Sequence, residues 1–367
     1  MSGDSTNWAR RSSCSPWARR GSWSPRGGHI QHIPALPVSI ADATGAGDAF
    51  WGGFLVASEE TRARVLAAAA ELGYRPSAIA RGLRAGRSHT LGYSWHHVPR
   101  DQWPPILDPF LYSMAQAAEA QGYHILTFAQ PTDGNPWLPY QELMLTGRVD
   151  GFILSETNRD DPRVRYLLDH DFPFVAFGRA NEEWDFPYVD VDNAAGTRMA
   201  VQHLIGLGHR RIAVIAWPED SLTGSYRLQG YLEAMEEARL EIDPAWIVRT
   251  EHAEASGREA MRVLLTLPPD RRPTAVVTMS DLMAIGAMNA LYEAGLQPGR
   301  DVSVVGFDDV PMAQYLRPPL TTVRQPVAEV GKLVVEMLLR MIRGEPLPSR
   351  RVLVQPKLIV RESTGSV

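Results

Sequence analysis

Cysteine is nearly missing from this chain of 367 residues: Cys14 stands alone, which excludes an intrachain disulfide and a cysteine-rich metal site. No apolar run reaches the ~18 residues that a membrane helix needs. The arginine-rich start has no apolar core of the kind that makes a secretory signal. Histidines and carboxylates fall at no metal-binding spacing; His203 and His209 flank a helix end, and His96 and His97 read as a loop pair. Ser225 and Ser280 have no evident base, so no nucleophilic catalytic set is in view. These absences leave a soluble, cytoplasmic protein without cofactor or metal that binds more than it catalyses.

What is present is a chain long enough for two or three domains, with 44% apolar residues to build a core. Charge is unevenly spread. Residues 1–90 hold eleven Lys/Arg against six Asp/Glu, a balance of +5, and the remainder carries −10. A basic front on an acidic body suits a nucleic-acid-contacting head on a small-molecule sensor. Codon bias toward arginine would give the same numbers.

The residues up to about Arg26 mix Ser, Arg, Trp, Gly and Pro without periodicity and read as a disordered tail. A denser stretch follows, Asp42-Ala-Thr-Gly45-Ala-Gly47-Asp48 and on to Gly52-Gly53. It resembles the C-terminal signature of ribokinase-type (PfkB) sugar kinases. That resemblance makes Asp48 a catalytic base and the Gly45–Gly47 turn an anion-holding helix start. It covers about thirty residues of a domain roughly tenfold longer, and one loop cannot position two substrates. Asp48 is accordingly read as a relic, the chain as no enzyme, and residues 1–57 as a tail plus this fragment.

From Ser58 the pattern becomes regular. Ser58 is a good N-cap, Val65, Leu66, Ala69 and Leu72 form an apolar stripe, Gly73 ends the helix and Pro76 opens a shorter one. This run, to Ser88, resembles the third helix and hinge helix of LacI-type DNA-binding heads. The resemblance implies that Leu83 wedges between base steps in the minor groove and that Ser77, Arg81, Arg84 and Arg87 contact DNA. A basic surface helix would look the same. The helices that should precede Ser58, including the one that reads the major groove, have no counterpart in residues 1–57, so the head is a partial helix-turn-helix.

From His89 to the C-terminus, strands and helices alternate. Strands are expected at Thr90–Ser94, Tyr123–Phe128, Gly151–Leu154, Phe174–Phe177, Arg211–Ala216, Ala275–Thr278 and Val302–Phe307. Helices are expected at Phe110–Gln121, Ala194–Leu207, Tyr226–Glu237, Ser256–Leu267, Asp281–Ala294 and Val327–Arg343. That is a doubly wound α/β architecture. The stretch from Asp190 to Ile215 reads as strand, helix, glycine stop at Gly208 and strand, one βαβ unit of a parallel sheet.

Three stretches carry a second resemblance: Asp190–Ile215, Ser280–Met288, and Val304–Asp309 with Pro318–Gln325. Together they resemble the periplasmic-binding-protein-like, two-lobed sensor of LacI/GalR (lac repressor) transcription regulators. The resemblance implies a homodimer whose effector, a sugar or a related small molecule, sits between the lobes and is coupled to operator DNA. It makes Asp308 an acceptor for ligand hydroxyls and Arg227 a ligand-binding arginine. At strand ends, Ser280 and the aromatic set Trp95, His96 and Phe110 are further candidates. Asp308 could instead cap a turn, Arg227 pair with an acid, and Phe110 be core. A sugar-binding sensor without DNA binding remains the alternative reading.

Overall fold

The computed structural model describes residues 22–26, 29–33, 63, 67, 87–95, 105–131 and 133–367, with backbone alone for 22–33 and for Trp95. The chain separates into two compact units, Met1–Ser77 and Ala78–Val367. In the first, β1 (Ser22–Arg26) pairs antiparallel with β2 (His29–Ile33), with Arg26 opposite His29. The expected disordered tail therefore ends in a strand. The kinase-like stretch with Asp48, and Ser77, Arg81, Leu83 and Arg84 of the hinge-like stretch, lie outside the described residues.

The second unit holds two six-stranded sheets. The N-terminal lobe has β3 (Thr90–Trp95), β4 (His124–Ala129), β5 (Gly151–Leu154), β6 (Phe174–Phe177), β7 (Tyr188–Val191) and β13 (Arg351–Val354), in the order β13-β7-β6-β5-β3-β4, all parallel. The C-terminal lobe has β8 (Ile212–Ala216), β9 (Ile247–Arg249), β10 (Ala275–Thr278), β11 (Ser303–Asp308), β12 (Thr321–Arg324) and β14 (Lys357–Ile359). Their order is β14-β12-β11-β10-β8-β9, and β14 alone runs antiparallel to its neighbour. Strands β5, β8, β10 and β11 are buried along their whole length, as strands covered on both faces must be.

Eight helices are described: α1 (Leu107–Glu119), α2 (Leu138–Leu145), α3 (Pro162–Asp169), α4 (Asn193–Gly206), α5 (Leu222–Glu237), α6 (Glu254–Leu265), α7 (Asp281–Glu293) and α8 (Val327–Arg343). Helices α4 and α5 pack together, as do α6 and α7, while α8 returns to the N-terminal lobe against α1, β5 and β6. The chain thus crosses between lobes three times: from β7 into α4, from β12 into α8, and from β13 into β14.

The first crossing corrects the reading of Asp190–Ile215 as a unit of one sheet. Strand β7 pairs with β6 and β13, whereas β8 pairs with β9 and β10 in the other sheet. Each strand has the apolar sequence of a buried strand, and that local pattern is the same whichever sheet it joins. The helix stop is where the sequence put it: Gly208 adopts φ +99° just past α4.

Entry to the lobe is pinned at one carboxylate. Asp150 accepts hydrogen bonds from the Ser88 amide (2.6 Å), the Ser88 hydroxyl (2.9 Å) and the His89 amide (2.9 Å).

Candidate effector cleft between the lobes

A cavity of about 430 Å³ lies between the lobes at the carboxyl ends of the strands. The N-terminal lobe supplies Ser155 and Glu156 after β5, Phe177 and Gly178 at the end of β6, and Asp190 in β7. The C-terminal lobe supplies Trp217 after β8, Arg227 of α5, and Glu251 and His252 after β9. Gln325 and Asn193 line it from two of the three crossings. Parallel α/β sheets place ligands at this end because the helix-entry loops, with their free polar groups, converge there.

Arg227 is the centre of this wall. Its side chain is 2% exposed, and its guanidinium lies over the Phe307 ring (3.6 Å) and the Trp217 ring (4.8 Å). Its Nε donates to Asn193 Oδ1 at 2.9 Å, and its Nη1 donates to the Met279 carbonyl. Burial pushes the guanidinium pKa down to about 10, against the pull of Asp308, Asp190 and Asp281, so it stays charged at neutral pH.

Asp308 closes β11 with φ +122°, and Asp309 follows at +54°, two left-handed non-glycine residues in a row at a strand end. Such strain collects at ligand sites. The Asp308 carboxylate lies 3.8 Å from Arg227 and accepts from Gln325 Nε2 at 2.6 Å. Burial raises its pKa to about 6, with Arg227 and Gln325 opposing. Asp308 does not line the cavity itself; Arg227 and Gln325 do. Behind it, Asp281 accepts from the Val310 amide (2.8 Å) and the Thr322 hydroxyl (2.5 Å). Burial and the Asp308 charge raise the Asp281 carboxyl well above its ordinary value.

Asp190 is the acidic group on the opposite wall. It takes Arg179 Nε at 2.7 Å on one oxygen, and the Val191 amide at 2.8 Å on the other. Burial raises its pKa, and Arg179 opposes the rise. His252 lies tilted by 51° against Trp217, with ring centroids 5.2 Å apart; its Nε2 has no hydrogen-bond partner, and burial lowers its pKa to about 4.

Of the residues picked from sequence, Arg227 reaches the cavity and Asp308 stands directly behind it. Ser280 does not: it is fully buried, and its hydroxyl caps α7 by accepting from the Met283 amide at 3.3 Å. A serine at a strand end that starts a helix is taken up by the free amides of that helix. Phe110 is core, buried between Tyr93 (6.0 Å) and Phe177 (4.9 Å), and Phe177 is the ring that faces the cleft. Trp95 ends β3, but its side chain, like His96, lies outside the described residues. Arg87, expected on DNA, donates from Nη2 to the Ile342 carbonyl at 2.8 Å, near the C-terminus of α8 where unpaired carbonyls attract a cation. Asp190, Asn193, Trp217, His252 and Gln325 are cleft residues that the sequence reading did not select. For Asp190, Asn193 and Gln325 the signal was present, as polar residues at strand ends inside stretches quoted for their regular structure. Among the described residues no group of three His, Cys, Asp or Glu is placed to hold a metal ion.

Residues 201–364 match the periplasmic binding protein-like domain family. The chain is 35% identical over 316 residues to the HTH-type transcriptional repressor PurR of Escherichia coli, covering 84% of this chain and 89% of PurR. It is similar to a regulatory protein of the LacI family from Chloroflexus aggregans, with 51% identity, a TM-score of 0.73, and coverage of 76% of this chain and 99% of that one. It is also similar to the transcriptional regulator CelR in complex with cellobiose, with 34% identity, a TM-score of 0.70, and coverage of 84% and 92%.

Proposed function

This chain belongs to the LacI/GalR family of transcription regulators, and we propose that its effector is an uncharged saccharide or polyol held in the cavity between the lobes. The observation that carries this is the charge of the wall. Glu156, Asp190, Asp220 and Glu251 line the cavity, and the one arginine there, Arg227, already has Asp308 as its partner. Among the described residues an anionic ligand would meet four carboxylates and no free cation. Hydroxyl groups, by contrast, can donate to carboxylates and accept from the Gln325 amide, while the Trp217 ring offers an apolar face to a sugar. The cellobiose in the CelR complex agrees with this chemistry.

The division of labour follows the family. Residues 58–88 form the partial head and hinge, residues 89–367 the sensor, and the working unit is a homodimer, because paired hinge helices need twofold symmetry. The protein acts by binding in the cytoplasm, where its operator is, and not by turnover. No described helix is long and apolar enough to cross a membrane. A sensor without operator recognition is the second reading, carried by the kinase-like stretch that fills the positions before Ser58.

The test is a thermal-shift screen of the full chain with neutral mono- and disaccharides including cellobiose, polyols, sugar phosphates and purine bases. A neutral saccharide should raise Tm by mass action. Asp308→Asn should weaken the shift, because it removes the carboxylate that holds Arg227 (3.8 Å) and Gln325 (2.6 Å) in place on the cavity wall. A shift with sugar phosphates or purines alone would overturn the assignment.

A further inference from the structure

Two consecutive residues of α5, Tyr226 and Arg227, reach in two directions, Tyr226 to the N-terminal lobe and Arg227 to the first crossing between the lobes. Arg227 faces the cavity and holds Asn193 at 2.9 Å. Tyr226 does not line that cavity. Its hydroxyl donates to Glu182 Oε1 at 2.6 Å, and the Arg179 guanidinium sits 3.4 Å from its ring centroid. Arg179 in turn donates to Asp190 at 2.7 Å, and Asp190 lines the cavity. The contacts form a chain that leaves the C-terminal lobe at Tyr226 and passes through Arg179, Asp190 and Asn193. It re-enters at Arg227, because Asn193 Nδ2 also reaches Asp190 at 3.4 Å.

We propose that Tyr226 and Arg179 are positioning residues of the effector site: together with Glu182 they form a latch that holds the lobes together and fixes Asp190 on the cavity wall. This rests on reading the cavity as the effector site. Three features support a latch over passive contact. Tyr226 is on one lobe and Arg179 and Glu182 are on the other, in the segment joining β6 to β7. The same arginine serves both the latch and the wall: it is the partner of Asp190 Oδ2, while Oδ1 is held by the Val191 amide. Tyr226 and Glu182 also line a second, open cavity of about 410 Å³, so water can take over their hydrogen bond when the lobes part. A contact that water can replace is one that can open and close repeatedly.

The experiment needs no ligand. In the full chain with Cys14→Ser, spin labels at Asn135→Cys and Arg249→Cys report lobe separation. These exposed positions follow β4 and end β9, the edge strands furthest in sheet order from the crossings. Labelled chains are diluted into unlabelled protein so that distances within one chain dominate. The parent should give a short-distance population. Tyr226→Phe, which keeps the ring, should cut the ratio of closed to open chains on the order of tenfold, as loss of a hydrogen bond to a charged group does. Arg179→Met should open the lobes further, and Glu182→Gln, which keeps an acceptor oxygen for the Tyr226 hydroxyl, should retain most of the closed population. Unchanged distances in Tyr226→Phe and Arg179→Met would overturn the latch. Opening in Arg179→Met but not in Tyr226→Phe or Tyr226→Leu would remove Tyr226 from it. Failure of every saccharide to bind would count against the effector reading and leave these distances unaffected, so the two failures are separable.

Discussion

Arg227 and Asp308 stand 3.8 Å apart, each nearly sealed from solvent, at the junction of the sheet end and the cavity. Neither is satisfied by the other alone, since Arg227 also donates to Asn193 and Met279, and Asp308 accepts from Gln325. Arg227 therefore has partners that a ligand need not supply, and the pair can present a fixed polar wall before anything binds.

Removing Arg227 should expose the cost of Asp308 as a function of pH. Asp308 has a folded-state pKa of about 6, above the ordinary carboxylate value, so the folded chain holds the proton more tightly than the unfolded one. Stability from this group is full at low pH and is lost as pH rises from about 4 toward 6. In Arg227→Met the opposing cation is gone, so the pKa climbs further and the loss continues above pH 6. Urea unfolding at pH 5, 6.5 and 8 should show the gap between parent and Arg227→Met widening with pH. At pH 8 it should approach about 3–5 kcal/mol, the usual cost of leaving a buried charge unpaired. A gap that is constant or shrinks with pH would mean that Asp308 is not the group left uncompensated.

His252 should act in the opposite direction. Burial holds its pKa at about 4, below the ordinary histidine value of about 6.5. Between those values the unfolded chain binds the proton and the folded one does not, so stability is intact above about pH 6.5 and is lost as pH falls toward 4. His252→Asn cannot titrate. Relative to that variant, the parent should lose up to about 1.4 kcal/mol per pH unit across this window. Parallel stability curves for the two proteins would show that His252 is solvated.

Much of this arrangement was legible in the sequence, and the limits have physical causes. Strands β5, β6 and β10 and helix α8 fall on the expected residues because buried strands are continuous apolar runs and α8 has a strong apolar stripe. Helices α2 and α3 were not foreseen. Each spans eight residues and has a proline within its first two positions, too short for a periodic pattern to stand out. Strands β12, β13 and β14 were also missed, being three or four residues long and defined by partners far away in the chain. In the site, Arg227 and Asp308 were found through the resemblance to LacI/GalR sensors, Asp308 at the end of β11 and Arg227 near the start of α5. Trp217 and His252 escaped because a loop aromatic looks the same whether it faces a cavity, the core or water.

The helix pairs give a prediction in which two effects compete. A Cβ on Gly230 would strike the backbone of Ala194, where α5 meets α4, and one on Gly286 would strike the backbone of Glu254 and Arg258, where α7 meets α6. Alanine is favoured over glycine inside a helix by about 1 kcal/mol. Overpacking against a backbone that cannot step aside costs about 1–3 kcal/mol, so the clash should win. Gly230→Ala and Gly286→Ala are expected to lower stability by about 1–2 kcal/mol. Gly206, at the end of α4, has nothing within 4 Å of its would-be Cβ, and Gly206→Ala should be neutral or stabilising. Equal effects at all three sites would mean that propensity and not packing decides.

The DNA prediction departs from what the family would lead one to expect. Base-specific readout in helix-turn-helix proteins comes from a recognition helix in the major groove, and residues 1–57 contain no sequence pattern for one. The hinge-like stretch offers Arg81, Arg84 and Arg87 for phosphates, but the Arg87 guanidinium is engaged at the end of α8 by the Ile342 carbonyl. Each phosphate contact adds about 0.9 to the slope of log K against log salt, so with two hinge arginines per chain a dimer should show a slope of about 4 in magnitude. Affinity should fall in the ~10⁻⁴–10⁻⁶ M range of non-specific binding. Fluorescence anisotropy on random and palindromic duplexes at two salt concentrations measures both quantities. Arg81→Ala with Arg84→Ala should flatten the slope, and Arg87→Ala should leave it unchanged while lowering Tm. Nanomolar, salt-tolerant preference for one palindrome would show that the segment before Ser58 supplies a reading head after all.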